Sequence, residues 1–178
     1  MKRFFSALAL LLAVTALVSC SSEIPDVPEG MIEVTADNEN VDFHLYAPDN
    51  WFAETSTGVV TAKVSDSILA NVSVMGVSAS TDVPGVEEYW AQFKDNFKSA
   101  FEDFELIEEN GEVLLDGHKA SRYVYSGKAG NSVTAKYQQV ICLKDSTIYI
   151  FTYTADPEQY EEYLPDAEKM LEHFKFKD

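Results

Sequence analysis

The chain has 178 residues, 46% hydrophobic and 24% charged, with 30 acidic side chains against 13 basic ones and a formal charge of −17 at pH 7. That balance argues against nucleic acid as a partner, because binding it requires basic side chains that neutralise phosphates. It equally disfavours adsorption of the protein surface to anionic lipid, which needs polybasic segments.

The chain opens with Lys2 and Arg3, then an apolar run from Phe4 to Val18 that ends in Leu17-Val18-Ser19-Cys20. A charged start, a short apolar core and a small residue before the cut form a secretory signal, too short and wrongly flanked for a spanning helix. The cysteine directly after Leu-Val-Ser resembles the lipobox of bacterial lipoproteins. That resemblance implies that Cys20 is the lipid-attachment residue, acylated by groups such as palmitate. The chain is then expected to live on the extracytoplasmic face of a cell membrane, where two or more acyl chains give stable anchoring. Ser21 follows Cys20, without the Asp that would argue for inner-membrane retention in a two-membrane cell.

The expected division is a lipoprotein signal peptide over 1–20, a flexible acidic tether over 21–40 and one domain over 41–178. Removing the first 20 of the 178 residues leaves 158, a length that suits a single domain. Lys2 and Arg3 leave with the signal, so 11 basic residues then face 30 acidic ones and the formal charge is −19. With Cys20 committed to lipid, Cys142 is the only thiol left. It is expected as a small buried hydrophobe with no disulfide partner.

The tether reading rests on Pro25, Pro28, Gly30 and six acids (Glu23, Asp26, Glu29, Glu33, Asp37, Glu39) among few large apolar residues. As a coil its ends would sit roughly 25 Å apart. Alternation of Val41, Phe43 and Leu45 with Asp42, His44 and Tyr46 predicts a first strand, ended by Pro48-Asp49-Asn50. Gly58–Val64 and Ala70–Ser78 are predicted as the second and third strands, with Gly76 marking a bulge or a close backbone approach.

The strongest helical pattern begins at Val86 and runs through Tyr89, Trp90, Phe93, Phe97, Phe101 and Phe104. These fall within an arc of roughly 120° at helical spacing, with Glu87, Glu88, Gln92, Asp95 and Asn96 opposite. Asp82 before Pro84 is the expected start signal. Such an aromatic stripe is expected to pack on a sheet. Farther on, Leu106-Ile107 and Val113–Leu115 flank Asn110-Gly111, as a hairpin or as one interrupted strand. Asp116-Gly117 predicts a tight turn into a strand over His118–Ser126. A loop over Gly127–Ser132 follows, then a hairpin of Val133–Leu143 and Thr147–Thr154. Asp156-Pro157 reads as N-cap and first residue of a final helix, whose stripe is Tyr160, Tyr163, Leu164, Ala167, Met170, Leu171 and Phe174. Pro165 is expected to kink or restart it. The fold class is therefore α+β: six to seven mostly antiparallel strands with helices packed on the sheet.

Three segments, in order, resemble one fold family. Tyr46-Ala47-Pro48-Asp49-Asn50-Trp51 looks like the strand, proline, turn and tryptophan opening of PsbP-like and Mog1-like domains. Leu115-Asp116-Gly117-His118-Lys119-Ala120 resembles their mid-domain turn. Tyr149–Ala155 and the ending Phe174-Lys175-Phe176 are similar to their close, although His173 stands where the family often has Ser. The likeness covers about Val41 to Lys177 and implies an α/β/α sandwich. It implies no activity, since a fold does not fix function.

No catalytic or cofactor signature is legible. His44, His118 and His173 lie on separate elements without metal-pair spacing. There is no G-x-S-x-G elbow, P-loop or G-x-G-x-x-G. Asp37–Asp42 alternates oxygens but lacks the turn glycine of a calcium loop. Acids cluster at Glu102, Asp103, Glu105, Glu108, Glu109 and Glu112, and again from Glu158 to Glu168, as solvated faces. The expected function is a non-enzymatic binding or accessory module of the cell envelope. It is expected to hold the membrane through Cys20 and to bind a protein partner, with no metal and no cofactor. The alternatives are a small envelope hydrolase, with His118 or His44 meeting acids and a hydroxyl in a cleft, and a calcium-binding accessory protein. A two-lobed solute-binding protein would need more than 158 residues of mature chain.

Overall fold

The computed structural model describes residues 26–130 and 132–177. The elements in chain order are β1 (Met31–Glu33), β2 (Phe43–His44), β3 (Tyr46–Pro48), β4 (Phe52–Ser56), β5 (Val59–Lys63), β6 (Ala70–Ser78), α1 (Val86–Ala100), β7 (Phe101–Leu115), β8 (His118–Ala129), β9 (Thr134–Lys144), β10 (Thr147–Ala155), α2 (Tyr160–His173) and β11 (Lys175–Phe176). Seven of these strands form one sheet in the order β4-β5-β6-β10-β9-β8-β7, with every pairing antiparallel. Two small ribbons, β1-β3 and β11-β2, flank it.

Both faces of the sheet are covered, which is why its central strands read as nearly continuous apolar runs. Along β9 and β10, Val140, Cys142, Tyr149, Phe151 and Tyr153 enter one core with Met170, Leu171 and Phe174. The alternate residues Ile141, Ile148 and Ile150 enter the other core, with Trp90, Tyr123 and Tyr125. One helix thus lies on each face, giving the α/β/α sandwich. Cys142 is fully buried and unpaired, as a small apolar residue would be. Burial pushes its thiol up to about 11. Gly76 marks a close approach and no bulge: it sits in regular register with Tyr149, and a Cβ there would meet Thr147 Cγ2 at 3.1 Å.

The expected tether is shorter than read. Met31–Glu33 pairs with Tyr46–Pro48, and Met31 and Thr35 are buried. Thr35 Oγ1 accepts the Leu45 N–H at 3.0 Å, and the Val34 N–H donates to Leu45 O at 2.9 Å. Composition misleads here because the segment's acids point outward or are paired, while a few small contacts do the anchoring. Residues 31–40 therefore belong to the packed domain.

The aromatic stripe also divides differently. The helix ends at Ala100, so Phe101 and Phe104 belong to β7, which begins without a loop. Against β8, β7 carries register shifts between Glu102 and Glu105, Leu106 and Glu108, and Glu108 and Gly111. Asp103 and Asn110 take positive φ at these bulges. The first bulge returns Phe104 to the face of Phe101, so the stripe continues through the change of element. Asn110-Gly111 is accordingly the interrupted strand and not a hairpin. The turn at Asp116-Gly117 has φ of 46° and 76°, the left-handed pair that a two-residue hairpin demands.

Neither helix starts at its expected residue. Gly85, and neither Asp82 nor Pro84, precedes the first turn of α1. Asp156 instead builds the turn before α2, accepting the Glu158 N–H at 2.8 Å, and the helix proper starts at Tyr160. Pro165 lies inside α2 without ending it. The carbonyl that loses a partner belongs to exposed Glu161, where water can serve it. The edge strand β4 is exposed along its whole length and so shows no period, and β11 has only two residues. Among the described residues no helix is long and apolar enough to cross a membrane.

Candidate binding cleft

On the α1 face the helix does not cover the whole sheet. Beyond its first turn lies a cleft of ≈ 700 Å³, walled by Val86, Glu87 and Glu88 and floored by the ends of β7, β8 and β9. Register puts its side chains in place: Glu112 pairs with Ser121 and Leu114 with Lys119. Leu143 follows Cys142, the partner of Ala120, and so stands beside Lys119. Leu114 is 60% exposed and Leu143 38% exposed, so two leucines face solvent where a third layer is missing. The apolar triplet Val113-Leu114-Leu115 held the signal for this. In a strand such a run must put an apolar side chain on each face.

The wall depends on how α1 is seated. Trp90 is its only fully buried side chain. Its ring stacks on Tyr123 at 4.0 Å, and its Nε1–H donates to Glu109 Oε1 at 2.8 Å. Lys94 reaches the same oxygen at 2.6 Å, and these two donors, Lys94 first, hold the Glu109 carboxyl below its ordinary value. Tyr123 is itself fully buried, and its hydroxyl lacks a hydrogen bond of ordinary geometry. Burial pushes that phenol up, with the Ser121 hydroxyl on the cleft floor opposing. Behind Trp90, Phe97 and Phe101 stack on Tyr125 and Tyr137 at 5.3 and 5.5 Å, closing the far end of the layer.

The residues singled out from sequence are scattered. Cys20 lies outside the described residues. His44 Nδ1 is 2.6 Å from Glu33 Oε1, and the Thr35 hydroxyl donates to that same oxygen at 3.4 Å. The carboxylate therefore stands between the imidazole Nδ1 and the Thr35 hydroxyl. His118 pairs through Nδ1 with the Asp116 carbonyl at 3.0 Å, at the turn of the β7-β8 hairpin. His173 closes α2, on the opposite face of the sheet from the cleft. The oxygens of 37–42 are turned to other work: Asp42 accepts the Tyr149 hydroxyl at 2.5 Å and Asn38 accepts the Asn40 N–H at 3.0 Å. Among the described residues no three His, Cys, Asp or Glu side chains gather as metal ligands. The acidic runs are partly compensated, with Glu102 near Lys128 at 3.5 Å, Glu108 on Arg122 at 3.1 Å and Glu161 on Lys136 at 3.1 Å.

No protein-family model matches the sequence, and no curated protein sequence is similar to it. Solved structures are similar in fold. Cyanobacterial PsbP (CyanoP) from Synechocystis sp. PCC 6803 matches with a TM-score of 0.59 at 14% identity, over 90% of this chain and 98% of its own. LpqN of Mycobacterium tuberculosis, involved in cell envelope biogenesis, matches at 0.53 and 13% identity over 76% of this chain and 83% of its own. The Saccharomyces cerevisiae Ran-binding protein Mog1p matches at 0.50 and 9% identity over 77% of this chain and 91% of its own. A seven-stranded antiparallel sheet with one helix on each face, matched across nearly the full length of CyanoP, places this chain in the PsbP/Mog1-like fold.

Proposed function

We propose that this chain is a membrane-anchored lipoprotein of the cell envelope, fastened through acylated Cys20 on the extracytoplasmic side. It acts without catalysis, as an accessory module that binds a protein partner in the cleft beside α1. The observation that carries this reading is the placement of the cleft relative to the chain's attachment. Near the start of the described residues the Met31 N–H donates to Pro28 O, and Lys169 of α2 donates to Glu29 O at 3.0 Å. Met31 packs in the α2-side core, so the anchor leaves from that face while the cleft opens on the other. Chain geometry limits the eight residues from Cys20 to Pro28 to at most about 28 Å. Turning the α1 face onto the bilayer would need that link drawn out along the side of a three-layer domain. The cleft is therefore held facing away from the membrane, open to proteins.

The lipobox-like Leu17-Val18-Ser19-Cys20 supports the anchor, and the likeness in fold to LpqN supports an envelope setting. The scatter of His44, His118 and His173 over separate parts of the fold supports a non-catalytic role. Metabolic labelling with an alkynyl fatty acid, followed by membrane fractionation, tests the anchor. The parent chain should label and sediment with membranes, and Cys20→Ala should do neither. Equal labelling and fractionation of the two would overturn it.

A further inference from the structure

Resting on the binding-module reading, the geometry points to the occupant of the cleft: a short protein segment bearing leucine-sized side chains flanked by lysine or arginine. Leu114 and Leu143 supply two adjacent apolar contacts on a rigid sheet, and apolar side chains left exposed together mark interaction surfaces. The rim supplies the sign of the charge. On β7, Glu102, Glu108 and Glu109 each have a cation within 4 Å, while Glu105 and, at the cleft, Glu112 have none among the described residues. Glu87 and Glu88 are likewise exposed without an ion pair there. The first turn of α1 favours acids for its own dipole, but Glu112 stands on a strand across the cleft and has no such reason. Lys119, between the leucines, can hold a carbonyl or carboxylate of the bound segment. The formal charge of −19 left after Lys2 and Arg3 depart with the signal draws cationic segments in from a distance.

The test is a leucine-methyl NMR titration of the full lipidated chain in neutral maltoside micelles. The probes are a ten-residue peptide alternating Leu and Lys and its Leu/Glu counterpart. The Leu/Lys peptide should shift Leu114 and Leu143 first and bind less tightly as salt rises. Leu143→Ser should weaken it about tenfold, the loss expected for one buried leucine contact. Glu87→Gln with Glu112→Gln should flatten the salt dependence, and the Leu/Glu peptide should leave both leucines unmoved. Shifts centred on Leu164 and Leu171 of α2, equal binding of the two peptides, or a Leu143→Ser protein that folds and binds as the parent does would each overturn the assignment. Loss of the anchor shows separately, in the fatty-acid labelling of Cys20.

Discussion

Replacing Trp90 with alanine is the most searching test of how the cleft wall is held. Trp90 is 3% exposed, the one α1 side chain wholly inside. An indole of this kind buries about 200 Å², which at about 25 cal/mol per Å² bounds the loss near 5 kcal/mol. Large aromatic truncations cost about 3–5 kcal/mol in practice, including about 0.5–1.5 kcal/mol from stacking on Tyr123. The hydrogen bond to Glu109 adds only about 1 kcal/mol, because Lys94 remains on the same oxygen. Trp90→Ala should therefore lose about 3–5 kcal/mol, a large share of the roughly 5–15 kcal/mol that holds a domain together. Trp90→Phe, which keeps a stacking ring, should lose about 1–2 kcal/mol. The chain has two tryptophans, so Trp51 on the opposite face becomes the sole tryptophan, reporting on the α2-side core. Urea unfolding followed by Trp51 fluorescence, with hydrogen exchange over 86–100, separates global from local loss. The seating described above requires exchange to rise across α1 first. A cost below about 1 kcal/mol with unchanged α1 protection would refute it.

Three further outcomes follow from the same packing. Met31→Ala should cost about 2 kcal/mol in urea unfolding, and a chain beginning at Val41 should lose more, because Leu45 N–H then lacks Thr35; an unchanged midpoint would return 31–40 to a tether. Cys142, whose thiol is pushed up to about 11 by burial, should resist iodoacetamide at pH 8 and label only as the chain unfolds. Partial burial opposes the Asp116 carboxylate, but Lys175 at 2.7 Å and the Phe176 N–H at 3.0 Å outweigh it and hold its pKa below the ordinary value. The folded value being the lower one, its stabilisation is present above the unfolded value of about 3.9 and disappears as pH falls through the folded value. Acid titration of unfolding should thus show Asp116→Asn less stable than the parent near pH 7, with the gap closing below about pH 4; parallel curves would contradict the pairing.

Much of the sheet was legible because its strands follow period two between strong turn residues. Ala70–Ser78 matches its predicted bounds, and the Asp116-Gly117 turn falls where its φ values require. Cys142 was legible as a buried apolar residue for the same reason. What escaped depended on distance in sequence. Met31 and Thr35 are anchored by β3 and Leu45, partners that local acidity hides. Phe101 and Phe104 keep helical spacing by way of a bulge, so periodicity carried the helix too far. The triplet Val113-Leu114-Leu115 requires an apolar side chain on each face, but local pattern does not locate the cleft, which exists only where α1 stops short of the ends of β7, β8 and β9. Leu114 and Leu143 read in sequence as ordinary strand interior.

The central claim, that the α1-side cleft presents to a protein partner from a lipid anchor, is tested most directly by photocrosslinking in cells. A benzophenone amino acid would be placed at Leu143, and as a control at Glu162 on exposed α2. The account predicts a discrete protein adduct at position 143 that disappears when Cys20 is also changed to Ala, and none at 162. Equal adducts at both positions, or an adduct at 143 indifferent to Cys20, would contradict it.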